Sequence, residues 1–290
     1  MIISPWETIV DRQLGYAGFT PELHAAMAET RTAIIGAGGN GAVLDLLVRS
    51  GFTRFTIIDP DTVDETNLNR LPFSRRTVGR SKVEAWKRYL TGINPDCDIK
   101  TYEWAITRHD AVRLEACLKG VSLLFLGTTD VEANLVVSRV ASRMGIRMLI
   151  GPASSGCLVV GTFIHDNGHT LERLAGFETE TQELEAIDYA SLKKRYDKAL
   201  AFPGRTKKLE PGVWDAITRG ELPARSCGFF VRLVNAAMAF EALKNVAAMR
   251  AFPIPGGKVF AIPEVLVFDP WTGCSYVFNA ASGNIIVPGR

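Results

Sequence analysis

Apolar and polar positions along the first 165 residues fall into alternating blocks of two periods. Residues 32–36 form a short apolar run ending in glycine, after which Val43, Leu46 and Leu47 recur at helical spacing until Gly51 closes the helix. Residues 54–59 carry Phe55, Thr56, Ile57 and Ile58 and predict a second strand. So short a crossover makes the two strands parallel and their connection right-handed. Ser81-Lys82-Val83-Glu84 reads as a capping box opening a helix that Pro95 ends. Strands follow at 99–104, 123–127 and 147–150, with helices at 110–118 and 131–144 between them. The alternation predicts an α/β fold with a doubly wound, mostly parallel sheet.

The second half changes character. Residues 157–164 predict a strand, and Asp166-Asn167-Gly168 a turn. From 169 to 225 the chain is charged and has few long apolar stretches, which predicts an insertion, helical near 189–200, with turns at Pro203-Gly204 and Pro211-Gly212. An apolar helix is expected over 228–249. Two short strands at 265–268 and 275–278 flank the turn Asp269-Pro270-Trp271-Thr272-Gly273. The expected organisation is a core with an N-terminal arm (1–165), a charged insertion shaping a substrate site (166–226), and a helix with a β hairpin completing the same domain (227–290).

A chain of 290 residues suits one large domain of this kind. Lys plus Arg is 33 against 31 Asp plus Glu, a net charge of +2 that argues against a nucleic-acid or membrane-surface partner. Glu7 and Asp11 near the start leave no basic n-region and apolar h-region, so no signal peptide is expected. The most apolar window, 146–164, is broken by Arg147, Gly151 and Pro152 and reads as two strands and a turn. Cys97, Cys117, Cys157, Cys227 and Cys274 form no CxxC pair, so neither a disulfide framework nor a zinc site is expected, and a cytoplasmic setting fits.

Gly36, Gly38 and Gly41 satisfy GxGxxG between a strand and a helix. Residues without Cβ allow a tight turn and close backbone approach, and the helix N-terminus offers free N–H groups to a phosphate. Asp59 ends the next strand, where an acid accepts hydrogen bonds from ribose hydroxyls. These features admit NAD, FAD or ATP. Ala42-Val43 after Gly41 excludes a P-loop, so a triphosphate would need cations from elsewhere in the chain. Lys82 stands in the first turn of its helix, where the dipole disfavours a cation by about 0.3–1 kcal/mol. It is either an exposed lysine or a ligand for an anion. Arg70 is either a phosphate contact or a surface partner of Asp64 or Glu65, and Asp130 is also a natural N-cap for the helix after it.

The motifs gain meaning as an ordered set. GAGGNG, Asp59-Pro60-Asp61-Thr62-Val63, Asn67-Leu68-Asn69-Arg70, Val78-Gly79-Arg80-Ser81-Lys82 and Thr129-Asp130, with Asp11-Arg12-Gln13 near the start, resemble the motifs of the ThiF/MoeB/HesA (E1-like) adenylyltransferase superfamily. The resemblance implies a Rossmann-like fold and the adenylation of a carboxylate with release of pyrophosphate. The carboxylate would be the C-terminus of a ubiquitin-like or sulfur-carrier protein, or of a peptide. It implies that Gly36, Gly38, Gly39, Gly41, Asp59 and Asp61 bind ATP, with Asp59 on the ribose. Asn67, Arg70 and Lys82 would contact the phosphates, and Asp130 would hold Mg²⁺. Arg12 would reach across a homodimer interface as an arginine finger. A carboxylate, with a pKa near 3.5, is already ionised and needs positioning and charge neutralisation rather than a general base.

The chain departs from the pattern in three places. Leu71 replaces the usual Gln after Arg70, the CxxC zinc pairs of many members are missing, and no cysteine lies between Cys157 and Cys227. The adenylate would therefore be the product or pass to an external nucleophile. Cys227, at the start of the apolar helix, is either a thiol activated by the helix or a small packed residue. His165 and His169 flank a turn rather than share a helix face, a poor start for a metal site. Arg205, Lys207 and Lys208 either meet an acidic peptide or are solvated. An NAD-dependent oxidoreductase and a non-catalytic E1-like partner subunit remain as alternatives.

Overall fold

The alternating blocks build one continuous sheet in the computed structural model, which describes residues 5–16, 18–152, 157–193, 209–223, 225–253 and 257–286. Its first five strands are β1 (Arg31–Ile35), β2 (Arg54–Ile58), β3 (Asp98–Tyr102), β4 (Val121–Leu126) and β5 (Arg147–Ile150). They lie in the order β3-β2-β1-β4-β5 and pair in parallel. β6 (Leu158–Phe163) turns back antiparallel to β5, and β7 (Glu264–Asp269), β8 (Cys274–Asn279) and β9 (Asn284–Ile286) extend the same sheet as an antiparallel meander. The expected hairpin is thus a three-stranded ribbon. β9 escapes sequence reading because it is only three residues long and follows a glycine turn at Gly283 with φ +74°.

Helices cover both faces, as a mostly parallel sheet requires. α1 (Pro5–Val10), α2 (Pro21–Glu29), α3 (Val43–Arg49) and α4 (Lys82–Ile93) precede β3, while α5 (Ala111–Cys117) and α6 (Val131–Arg143) flank β4. α7 (Leu171–Leu174), α8 (Val213–Thr218) and α9 (Gly228–Met249) belong to the second half. Within the continuous apolar run of β1, Ala33 and Ile35 face the α5–α6 layer, whereas Ile34 faces the layer of α2, α3, α4 and α9. β4 divides likewise, with Leu124 and Leu126 on the first side and Leu123 and Phe125 on the second. Trp86, Phe52 and Phe55 are fully buried in the second layer, each contributing about 1.5–3 kcal/mol of apolar burial.

Two elements differ from what the sequence predicts. Ser81 is the N-cap of α4, but its side chain makes no cap bond, and its Oγ is buried without a hydrogen-bond partner among the described residues. Backbone pairing pins the helix start instead: Thr62 bridges Ser81, and the Lys82 N–H donates to the Asp61 carbonyl at 2.9 Å. Glu84, freed from the box, accepts from the Thr101 hydroxyl at 2.7 Å. The charged stretch after β6 is also not uniformly solvated. Phe177, Leu184, Ile187, Tyr189 and Leu192 are buried against α5 and α6 as part of the first layer. Helix begins at residue 189 as expected, but 194–200, the turn at Pro203-Gly204, and Arg205, Lys207 and Lys208 lie outside the described residues. Among the described residues no helix is long and apolar enough to cross a membrane.

Candidate active site

The strand order reverses between β1 and β4, because β2 lies on one side of β1 and β4 on the other. In open α/β sheets the crevice at such a point, outside the carboxyl ends of the strands, is where ligands bind. Gly36 leaves β1 there at φ +87°, and an added Cβ would stand 2.6 Å from the Gly127 carbonyl carbon and the Thr128 nitrogen. Gly127 ends β4 and is equally confined, its added Cβ falling 2.7 Å from the Gly36 carbonyl oxygen. The two glycines let the strand ends close on each other. Gly38 is different, since an added Cβ there meets nothing within 4 Å. The turn is therefore tight underneath and open above.

Three elements brace this turn. Asp59, just past β2, accepts the Ala37 N–H at 2.6 Å on one carboxylate oxygen and the Asp61 N–H at 2.8 Å on the other. Trp86 of α4 donates its indole N–H to the Ala37 carbonyl at 2.9 Å. Asn235 of α9 donates to the Gly39 carbonyl at 3.0 Å. Burial raises the Asp59 pKa, opposed by the charge of Lys82 and by the two backbone N–H donors. The Lys82 ammonium lies 3.8 Å from Asp59 and 2.7 Å from Asp61. It is 7% exposed, so it is not the solvated lysine that its place at a helix start also allowed.

Arg70 completes the constellation. An added Cβ at Gly39 would fall 3.6 Å from Arg70 Cδ and 3.7 Å from its Nε, so the guanidinium stem lies against the turn. Nη1 donates to the Thr66 carbonyl at 2.7 Å and to the Asn69 side-chain oxygen at 2.9 Å, while Glu65 pairs with Arg75 instead. Burial pushes the Arg70 pKa down, with Asp64 acting the other way. Asn67 is buried and closes its own turn, accepting the Asp64 N–H at 3.3 Å as half of a capping box. Asp130 is exposed and caps α6, with Oδ1 accepting the Glu132 N–H at 3.1 Å. The cap uses one carboxylate oxygen of two.

Arg12 is not brought to the turn within its own chain. It is exposed in the 3₁₀ segment Asp11–Gln13, and Gln13 donates to the Arg49 carbonyl at 2.7 Å, at the end of α3 remote from the glycines. Trp6 donates to the Gly51 carbonyl at 2.6 Å and anchors the arm to that same end. Cys227 is the half-buried N-cap residue of α9, and all five cysteines are free thiols. Burial lifts the Cys97 thiol to about 12, so it stays protonated at neutral pH. Among the described residues no group of three or more His, Cys, Asp and Glu is placed to hold a metal.

Sequence reading missed Gly127, Trp86 and Asn235. A glycine at the end of the fourth strand and an asparagine inside an otherwise apolar helix were the available signals. A separate polar cavity of about 370 Å³ opens beside the C-terminal half of α6, lined by Ser138, Arg139, His165, Glu172, Glu180 and Gln182 among others. Its Arg139 is already engaged by Glu172 and by the Thr179 and Gln182 carbonyls.

The ThiF family model matches residues 10–275. Ubiquitin-like modifier-activating enzyme 5 of Drosophila willistoni is 45% identical over 83 residues, which is 28% of this chain and 20% of that protein. The chain thus spans about a fifth of the length of that curated relative. PaaA superposes with a TM-score of 0.68 at 15% identity, covering 96% of this chain and 75% of PaaA. Escherichia coli MccB bound to ATP gives 0.61 at 16% identity, covering 89% of this chain and 66% of MccB. At such identities the two superpositions speak to the fold.

Proposed function

The chain belongs to the ThiF family, and from that premise we propose that it is an ATP- and Mg²⁺-dependent adenylyltransferase acting on a carboxylate of a small carrier protein or peptide. One observation carries the reading: the open glycine turn has the Arg70 stem against it and the buried Lys82 ammonium beside its Asp59 brace. An NAD-dependent hydride transfer would leave both cations without a role. The name of the Drosophila relative supports a ubiquitin-like modifier as the substrate class, and the ATP held by MccB supports the nucleotide.

Asp59 is held by two backbone N–H groups at the strand end, where its carboxylate edge would take the ribose. The turn from Gly36 to Gly41 would bind phosphate through its N–H groups, and Arg70 and Lys82 would offset the charge that grows as pyrophosphate leaves. The attacking carboxylate oxygen forms a bond to the α-phosphorus while the bond to pyrophosphate breaks, so no proton moves and no general base is required. Asp130 fits Mg²⁺, because Mg²⁺ is commonly held by one or two carboxylates together with phosphate oxygens, and this carboxylate is exposed at the strand ends. When bound, the ion neutralises phosphate charge.

Residues 1–165 would form the adenylation core, 166–226 would shape the carboxylate site, and 227–290 would complete the domain. Arg12 stands in a segment anchored at the end of α3 remote from its own turn, which supports a role in the site of a second copy. Phe229, Leu233 and Phe240, exposed on the outer side of α9, supply an apolar surface for such a homodimer. A cytoplasmic setting, with ATP present and thiols reduced, suits the reading.

ATP–[³²P]pyrophosphate exchange, screened against C-terminal peptides and small carrier proteins, is the test. Exchange that depends on one carboxylate and is abolished by Lys82→Ala and by Asp130→Ala is the expected result. Full exchange in those variants would remove the site assignment, and binding of NAD without ATP would replace the reading altogether.

A further inference from the structure

Helix α9 reaches the glycine turn through a single polar side chain. Asn235 is 0% exposed, and its Nδ2 donates to the Gly39 carbonyl across 196 residues of sequence. The carbonyl fixes which end of the amide faces it, because only the NH₂ end can donate. The other end, Oδ1, is buried and has no hydrogen-bond partner among the described residues.

That sets Asn235 apart from the other buried polar residues of the same helix. Glu241, Lys244 and Asn245 close a network in which Lys244 pairs with Glu241 and donates to the Lys258 carbonyl at 2.8 Å. In the same network Asn245 donates to the Thr162 hydroxyl at 3.1 Å and accepts from Arg147 at 3.1 Å. Those groups are satisfied, whereas Asn235 carries an unpaired oxygen into the core in order to hold one backbone carbonyl. A leucine, with the same number of side-chain heavy atoms and the same branching, would avoid that penalty.

What the bond does follows from peptide geometry. The Gly39 C=O and the Asn40 N–H belong to one planar trans peptide and point in opposite directions. Holding the carbonyl inward toward α9 therefore turns the Asn40 N–H outward, at the head of the helical turn Asn40–Ala42 that leads into α3. The Gly39 carbonyl also accepts the Ala42 N–H at 3.2 Å, so the same oxygen closes that first turn. N–H groups at a helix head have no partner inside the helix and are the ones a phosphate meets. The two peptides that flank Ala37, earlier in the same turn, are held by Asp59 on the Ala37 N–H and by Trp86 on the Ala37 carbonyl.

We infer that Asn235 is a positioning residue for the phosphates of the nucleotide, acting through Gly39 to aim the Asn40 N–H. This rests on the nucleotide reading given above. The test compares wild type, Asn235→Leu and Asn235→Ser as full-length proteins, using mant-ATP with Mg²⁺, displacement of mant-ATP by adenosine, and thermal unfolding.

Asn235→Leu should keep or raise Tm, weaken mant-ATP about tenfold, and leave the adenosine inhibition constant unchanged, because the defect lies under the phosphates. A merely structural role would move both ligands together and follow Tm. Mant-ATP affinity within twofold of wild type overturns the inference, and so does an equal loss for ATP and adenosine. If Asn235→Leu does not fold, Asn235→Ser, which shortens the donor out of reach, is judged by the same readings. Wild type that fails to bind mant-ATP overturns the nucleotide reading and this inference together. Wild type that binds alongside an unaffected variant overturns the inference alone.

Discussion

Gly36 and Gly38 share one turn but answer to different constraints. Gly36 has φ +87° and backbone atoms within 2.6 Å of any added Cβ, so no rotamer can relieve Gly36→Ala. That variant should lose about 1–3 kcal/mol or more of stability by urea unfolding, along with nucleotide binding. Gly38 has open space above it, so Gly38→Asp should leave Tm within about 2 °C of wild type, by the usual small effect of surface changes, yet abolish ATP binding by placing an anion where phosphate would lie. His24 makes the same kind of argument in the core. It is 1% exposed, neither ring nitrogen has a hydrogen-bond partner among the described residues, and burial pushes its pKa below the usual 6.5. Above that value both folded and unfolded chains carry a neutral ring, and nothing is lost. As pH falls through it, the unfolded chain takes up a proton that the folded chain refuses, and stability declines until the lower folded pKa is reached. His24→Leu should therefore flatten the dependence of the urea midpoint on pH below about 6.5 and match or exceed wild type at pH 7. An unchanged slope in that variant would show that His24 is not the titrating group.

The start of α4 shows how an element can be placed correctly for the wrong reason. Ser81-Lys82-Val83-Glu84 has the spacing of a capping box, and the helix does begin there, but a backbone bridge between Thr62 and Ser81 provides the anchor. Ser81→Ala should change stability by less than about 0.5 kcal/mol, or raise it, where loss of a working cap costs about 0.5–2 kcal/mol. A loss above 1 kcal/mol in urea titration would restore the capping role. Local pattern made β1, α3, β2, α6 and the whole of α9 legible in the sequence, α3 through apolar residues at helical spacing, β1 and α9 through an unbroken apolar run. α2 was not picked out, although Thr20 accepts the Leu23 N–H and Pro21 stands at the first helical position. Its apolar residues are spread too evenly to mark one face. The docking of Phe177, Leu184 and Ile187 onto α5 and α6 was also hidden, since their neighbours are charged and the partner surface lies far off in sequence. The candidate site divides along the same line. Gly36, Asp59, Arg70, Lys82 and Asp130 stand in contiguous motifs, while Trp86, Gly127 and Asn235 acquire meaning only when the chain has folded back on itself.

At the scale of the molecule, α9 carries apolar residues on its outer side as well as its inner one, and the outer side is left uncovered among the described residues. Its inner residues Val231, Val234, Met238 and Ala242 pack in the second layer, while Phe229, Leu233 and Phe240 are 79%, 41% and 51% exposed. Apolar residues on a helix face are ordinarily covered. If a second copy covers it and brings Arg12 to the neighbouring turn, Leu233→Glu with Phe240→Glu should give a monomer in sedimentation velocity that binds ATP but has lost pyrophosphate exchange. A monomeric wild type with full exchange would count against the arrangement. Helix α9 and the residue leading into it also fasten the two loops assigned above to the nucleotide: Asn69 donates to the Ser226 carbonyl at 3.0 Å, just before the helix, and Asn235 holds Gly39. While the chain is being synthesised, every motif residue from Arg12 to Asp130 leaves the ribosome before either fastening exists. A nascent chain halted after residue 165 would display the full set of motifs with an unaimed turn, and ATP should not protect it from protease. Emergence of Ser226 and of α9 behind it would then be the event that switches nucleotide binding on.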